Sequence, residues 1–194
     1  IIASFQAGAV SYLYYADRVY QINLAIAGIA VSIVSLPALS RAIKKKNKKN
    51  IFQIQNKSIE LTFLLSIPAS IGLIIASEEI VSSLFGYGSF SEEDVKLTSK
   101  ALLYFGYGVP AFALVKVLGN LFFARDDTKT PLKISLLIVV LNILISVFFF
   151  NKIGFIIIPI ATTTSSWIGT IIYFFILYEK KFLNIERELF KNLA

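Results

Sequence analysis

Long apolar runs, broken by short polar stretches, dominate the chain. Spanning the hydrocarbon layer takes about 20 apolar residues in a helix, and five stretches meet that length: residues 16–40, 58–76, 99–123, 131–150 and 153–178. The first could continue from a less apolar helix starting near Gly8. The second carries one charge, Glu60; the third carries Lys100 and Lys116; the fourth has Lys133 near its start; the fifth has none. Backbone groups in lipid must bond within their own segment, and these runs are too long and uniform for barrel strands. The pattern therefore predicts an all-α integral membrane protein with five crossings.

The polar stretches orient those crossings through the cytoplasmic bias of Lys and Arg. Residues 41–57 hold seven basic residues and no acid, whereas residues 78–96 hold five acids and one lysine. The connector 125–133 has three basic residues and the tail 179–194 has four. The alternation predicts a cytoplasmic basic loop at 41–57, a cytoplasmic connector and tail, and a periplasmic acidic loop at 78–96. A short turn at Asn151 and Lys152 also falls outside. Ile51, Ile54 and Ile59 have helical spacing in a polar setting, which predicts a short interfacial helix leading into the second span.

Composition changes the picture in three ways. With 56% hydrophobic and only 16% charged residues, the chain is too apolar for a soluble domain. It has no Cys and no His, so thiolate and imidazole metal centres and Cys or Ser-His-Asp nucleophiles have no residues to use. The net charge of +7 is mostly the orientation signal, so no nucleic-acid partner is read into residues 44–49, while contact with anionic membrane lipids is expected. The acids cluster only in loops, and Gly86-Tyr87-Gly88 lacks the strand and lysine of a phosphate loop. No enzyme site emerges. The chain starts at Ile1 without a signal-peptide pattern, and we read it as a piece of a longer protein.

Each of the five prolines belongs to a different span. Thr130-Pro131 reads as a helix start with Thr130 at the cap, and Pro37 falls near an end. Pro68, Pro110 and Pro159 are expected to bend their helices. Gly72, Gly106, Gly108 and Gly169 offer close-packing or bending points. These features fit a transporter with bent helices around a cavity, and they fit equally the ordinary Gly and Pro content of membrane helices.

The candidate chemistry lies in a few polar side chains. Asp17 and Arg18 are the only charges between Gly8 and Ser40. As helix neighbours they diverge by about 100° and do not pair naturally. Arg18 either lines a cavity, where its forked donors match phosphate, or lies in the outer headgroups. Lys116 either snorkels or forms a cationic wall on the inner side. Asn142, Ser135, Ser146 and the run 162–166 either bond between helices or build a small cation site with carbonyls freed by Pro159.

Three motifs in order carry a resemblance. Gly8-Ala9-Val10-Ser11-Tyr12-Leu13-Tyr14-Tyr15-Ala16-Asp17-Arg18-Val19-Tyr20 resembles the signature of the MurJ (MviN) family of lipid II flippases. Leu36-Pro37-Ala38-Leu39-Ser40-Arg41 resembles the family segment closing the same span. Val115-Lys116-Val117-Leu118, followed by Phe122-Phe123-Ala124-Arg125-Asp126-Asp127-Thr128-Lys129-Thr130-Pro131-Leu132-Lys133, resembles its VKVL…FYARxDTxTPxK pattern. The resemblance implies part of the C-terminal lobe of a multidrug/oligosaccharidyl-lipid/polysaccharide (MOP) exporter fold, roughly the eighth to twelfth of fourteen helices. It implies lipid II as the partner of the parent protein, the bacterial inner membrane as its location, and alternating access as its mechanism. The N-terminal lobe and final helices would be required. Arg18 is implied as a pyrophosphate contact, with Asp17 matching the adjacent family acid; Lys116 joins the candidate cavity residues on its own chemistry as a cation. No resident cofactor is implied, but coupling to Na+ or to the membrane potential is. Asn142 and Thr162 match a family sodium site, although Ser146 stands where a carboxylate can occur.

Overall fold

A computed structural model describes residues 3, 6 and 8–182. The first apolar run folds as one continuous rod in three parts: α1 (Ala9–Leu24), a π-helical segment (Ala25–Ala30) and α2 (Val31–Lys44). It is followed by α3 (Lys48–Ile75), α4 (Ser77–Phe85), α5 (Glu92–Phe123), α6 (Lys129–Ile153) and α7 (Ile157–Glu179). Among the described residues, four continuous helical stretches are long and apolar enough to cross a membrane, and the last, Lys129–Glu179, holds both α6 and α7. It reverses at Gly154, whose φ of 73° and ψ of −156° suit glycine alone. The reversal thus falls just past the expected Asn151-Lys152 turn, both of which remain helical.

Several loops expected from polarity are helical. The acidic stretch holds α4, which buries Val81 against α5, and the first turns of α5. Ser91 and Asp94 form a reciprocal capping box that starts α5. The interfacial helix does not form separately. Lys48–Ile75 is one helix capped by Asn47, whose side chain accepts from Asn50 N. Ile59 joins Leu39, Leu118 and Leu121 in a buried cluster, and Ile51 and Ile54, half-buried, pack against it. Nothing between 48 and 67 breaks the helix, so the polar start and the apolar span share one axis. The basic tail beyond residue 182 lies outside the described residues.

The bundle is built on α5, which contacts α1, α2, α3, α4 and α7. Tyr20 of α1 places its ring 4.6 Å from Phe105 and 5.3 Å from Phe112. α7 lies along α5 in parallel register through three side-chain donors. Thr163 Oγ1 donates to Tyr104 O at 2.8 Å, Trp167 Nε1 to Tyr107 O at 3.0 Å, and Thr170 Oγ1 to Ala111 O at 3.3 Å. α6 is peripheral: it buries only Pro131, Ile134 and Ser146 and packs chiefly on α7.

The prolines divide by position. Pro37, Pro68 and Pro110 are interior to α2, α3 and α5, whose helical paths continue through them. Pro110 cannot donate to the Gly106 carbonyl one turn back. Ser70 Oγ of α3 donates to that carbonyl instead, at 2.8 Å. Pro159 is not interior as expected. It falls in the first turn of α7, where an N–H has no helical partner anyway. The start of α6 is also set differently. Thr128 occupies the cap position without a side-chain bond, and Asp127 does the capping, accepting from Thr130 N at 3.0 Å and from Thr130 Oγ1 at 2.7 Å.

Candidate functional site

α1 turns Ala9, Ala16 and Val19 toward α5. That arrangement leaves Tyr14, Arg18, Gln21 and Ile22 on its outward face. Arg18 Nη2 donates to Tyr14 Oη one turn back at 3.0 Å, and the guanidinium carbon sits 4.8 Å from the Tyr14 ring centroid. Asp17 turns away and accepts from Gln21 Nε2. Each member of the charged pair is therefore held by its own helical neighbour. No ion pair among the described residues engages Arg18. A guanidinium held only by a phenol keeps donors for an anion.

Beyond Arg18 the rod becomes π-helical, and the extra residue re-aims its faces. Gly28, in this segment, is buried against α5: a Cβ there would lie 3.0 Å from Ala113 Cα. The sequence reading did not include this feature. Its one signal was the small-residue run Ala25, Ala27, Gly28 and Ala30.

Lys116 lies elsewhere. It lines a cavity of about 430 Å³ formed by the π segment and α2 on one side and α5, α6 and α7 on the others. Neither Asp17 nor Arg18 lines it. Asn120, one turn on, donates from Nδ2 to Ser32 O at 2.9 Å and ties α5 to α2.

Asn142 and Thr162 do come together. Asn142 Nδ2 donates to Thr162 Oγ1 at 2.8 Å, and that hydroxyl donates onward to Ile158 O at 2.8 Å. Ser146 Oγ is buried beneath without a partner. These residues do not fit a sodium ion as they stand. The hydroxyl that would coordinate is already committed, the amide presents nitrogen to it, and no acid occurs between residues 128 and 178. Hard cations need oxygen ligands, usually with carboxylate charge. The arrangement is a neutral link between α6 and α7.

Where the end of α7 meets the start of α6, Lys180 Nζ donates to Asp127 Oδ2 at 2.8 Å and to Thr130 Oγ1 at 3.2 Å. The ammonium and the Thr130 donors hold the Asp127 carboxyl well below the usual carboxylate range. This contact fastens the end of α7 to the start of α6.

Among the described residues, an all-helical bundle of membrane-length helices with a cation outside any ion pair on one outward face has the fold of one part of a multi-helix membrane transporter. Solved structures of that class share the fold. A multidrug resistance MATE family transporter of the MOP superfamily in an outward-facing conformation matches with a TM-score of 0.81 over 99% of this chain and 44% of its own length, at 18% identity. A lipid II flippase MurJ in an inward closed conformation matches with a TM-score of 0.84 over 97% of this chain and 39% of its own, at 27% identity. The family model described as lipid II flippase MurJ matches residues 1–194. Probable lipid II flippases MurJ from Rhizobium tropici and Rickettsia prowazekii are 37% and 39% identical over 100% and 86% of the chain. The chain belongs to the MurJ family, and with it to the multi-pass proteins of the bacterial inner membrane. It spans about a third of the length of the curated relatives it matches, 36% and 33% for these two.

Proposed function

We propose that the parent protein moves lipid II, the undecaprenyl-pyrophosphate-linked peptidoglycan precursor, from the cytoplasmic to the outer leaflet by alternating access. This chain would form much of one lobe. The observation that carries the reading is Arg18, exposed on α1 and paired with no acid among the described residues. An unpaired arginine in a membrane-spanning helix is costly, and such a residue commonly marks a substrate path. The forked guanidinium would receive the pyrophosphate, with Tyr14 holding its angle.

The bundle beneath Arg18 supports this role. α5 is clamped to α1, α3 and α7 by buried rings and by side-chain bonds to its carbonyls, so α1 has a rigid backing. A lobe of this kind can rock as a body about a fixed site. No step of the proposed cycle is routed through a sodium ion.

The test is complementation of a lipid II flippase depletion by the full-length protein, with insertion monitored separately. Loss of one charge-assisted phosphate contact costs on the order of 2–4 kcal/mol in a low-dielectric cavity. Arg18→Ala should therefore abolish rescue while membrane levels hold, and Arg18→Lys should rescue in part. Full rescue by Arg18→Ala would remove Arg18 from the substrate path.

A further inference from the structure

We propose that the cavity at Lys116 is a separate binding site for a lipid-borne phosphate, distinct from the Arg18 face. Its lining is one-sided in chemistry. Lys116 is its only charged residue; Ser32, Asn120, Ser135 and Tyr173 supply hydroxyls and an amide, and no carboxylate lines it. Lys116 is exposed and makes no ion pair among the described residues. Ser32 Oγ is buried with no partner. A cavity lined by an ammonium, phenol and serine donors and no acid selects an anion.

The place of the cavity in the bundle selects what carries that anion. Lys116 lies seven positions before Phe123, the last residue of α5, or about 10 Å along the helix axis. Phe123 and Pro131 line the same cavity, and Pro131 is in the first turn of α6. The cavity therefore reaches the start of α6 beside the basic connector, toward the headgroup level that the charge pattern assigns to the inner leaflet. Ile29 and Ile33 form the apolar side of the cavity, where a lipid chain has a surface to lie on. A free inorganic anion has no use for that side; a phosphate attached to a lipid does. Such a phosphate belongs either to bulk anionic phospholipid or to a polyprenyl pyrophosphate.

The test uses the full-length protein carrying Arg18→Gln, so that the outer cation contributes nothing. Native mass spectrometry reads binding of phosphatidylglycerol, undecaprenyl pyrophosphate and, as an uncharged control, diacylglycerol. Lys116→Gln should weaken binding of a phosphate-bearing lipid about tenfold, the range of a lost hydrogen bond to a charged group. Lys116→Arg should stay within about threefold, and diacylglycerol binding should not change. A response confined to phosphatidylglycerol assigns the cavity to bulk lipid; one confined to undecaprenyl pyrophosphate assigns it to the transported class. Equal binding with and without Lys116 overturns the proposal, as does equal weakening by Lys116→Gln and Lys116→Arg. Neither result touches the role of Arg18, which is read by complementation.

Discussion

Two buried contacts around α5 have effects that can be worked out atom by atom. Ser70 Oγ donates to the Gly106 carbonyl that Pro110 cannot serve. Ser70→Ala should cost about 1–2 kcal/mol, because a buried carbonyl loses its donor. In a Pro110→Ala background the helix supplies its own N–H, and the cost of Ser70→Ala should fall close to zero. A double-mutant cycle on thermal unfolding in detergent measures this, and equal costs in both backgrounds would sink the account. Gly28 is the other case: only 3.0 Å separates the site of its missing Cβ from Ala113 Cα. Backbone is met there, not a movable side chain, so Gly28→Val should destabilise by about 1–3 kcal/mol through overpacking. Of these details the sequence revealed only the residue types. Asp17 and Arg18 were legible as a diverging pair because adjacent positions on a helix must diverge. The partners that hold them, Gln21 and Tyr14, follow from the same one-turn spacing. Lys116 was legible as a candidate cavity cation, but its lining was not, since Ser32, Ser135 and Tyr173 reach the cavity from three separate helical segments.

The helices themselves were largely readable wherever apolar runs were long, and misread wherever polarity was taken to mean loop. The stretch 77–85 is polar at many positions yet helical, because Val81 needs one buried stripe only, while 48–57, read as a separate interfacial helix, is the first part of α3. The junction of α6 and α7 shows a related limit. Thr130-Pro131 marked the start of α6 correctly within two residues, but the cap is Asp127, which also takes the Lys180 ammonium from the far end of α7. Its carboxyl is depressed in the folded state. It therefore adds stability above the unfolded carboxylate value of about 4, and that contribution drains away as pH falls below it. Asp127→Asn keeps an acceptor for Thr130 N, so it should cost about 0.5 kcal/mol near neutrality, the worth of a partly exposed ion pair alone. The gap between variant and parent should narrow on acidification from pH 5 to pH 3, read by the unfolding midpoint at each pH. A gap that widened would mean that the carboxylate is not what holds the two helices.

Orientation links the parts of the chain that lie far apart in sequence, and it can be tested with single cysteines, since these 194 residues contribute none of their own. The seven basic residues of 41–57 sit on the end of α2 and the start of α3, and Arg125 and Lys180 sit at the ends of α5 and α7. The acids at 78–94 sit at the opposite ends of α3 and α5. The parallel register of α5 and α7 requires those two helices to cross in the same sense. Once one end is placed, every other end follows. Single cysteines at exposed Lys49, Ser89 and Asn151 sample three connections without touching a buried contact. In whole cells of the full-length protein with any cysteine outside these residues replaced, a membrane-impermeant maleimide should label Ser89→Cys and Asn151→Cys at once, and Lys49→Cys only after permeabilisation. Labelling Lys49→Cys from outside, with the other two protected, would invert the whole arrangement. It would move Arg18 to the cytoplasmic half and Lys116 to the outer half, and exchange the leaflets assigned to the two cations proposed to bind phosphate. The sequence supports the stated orientation because lysines crowd the ends that share one side of the bundle. The charge rule supplies which side that is, and the packing requires the helices to obey it together.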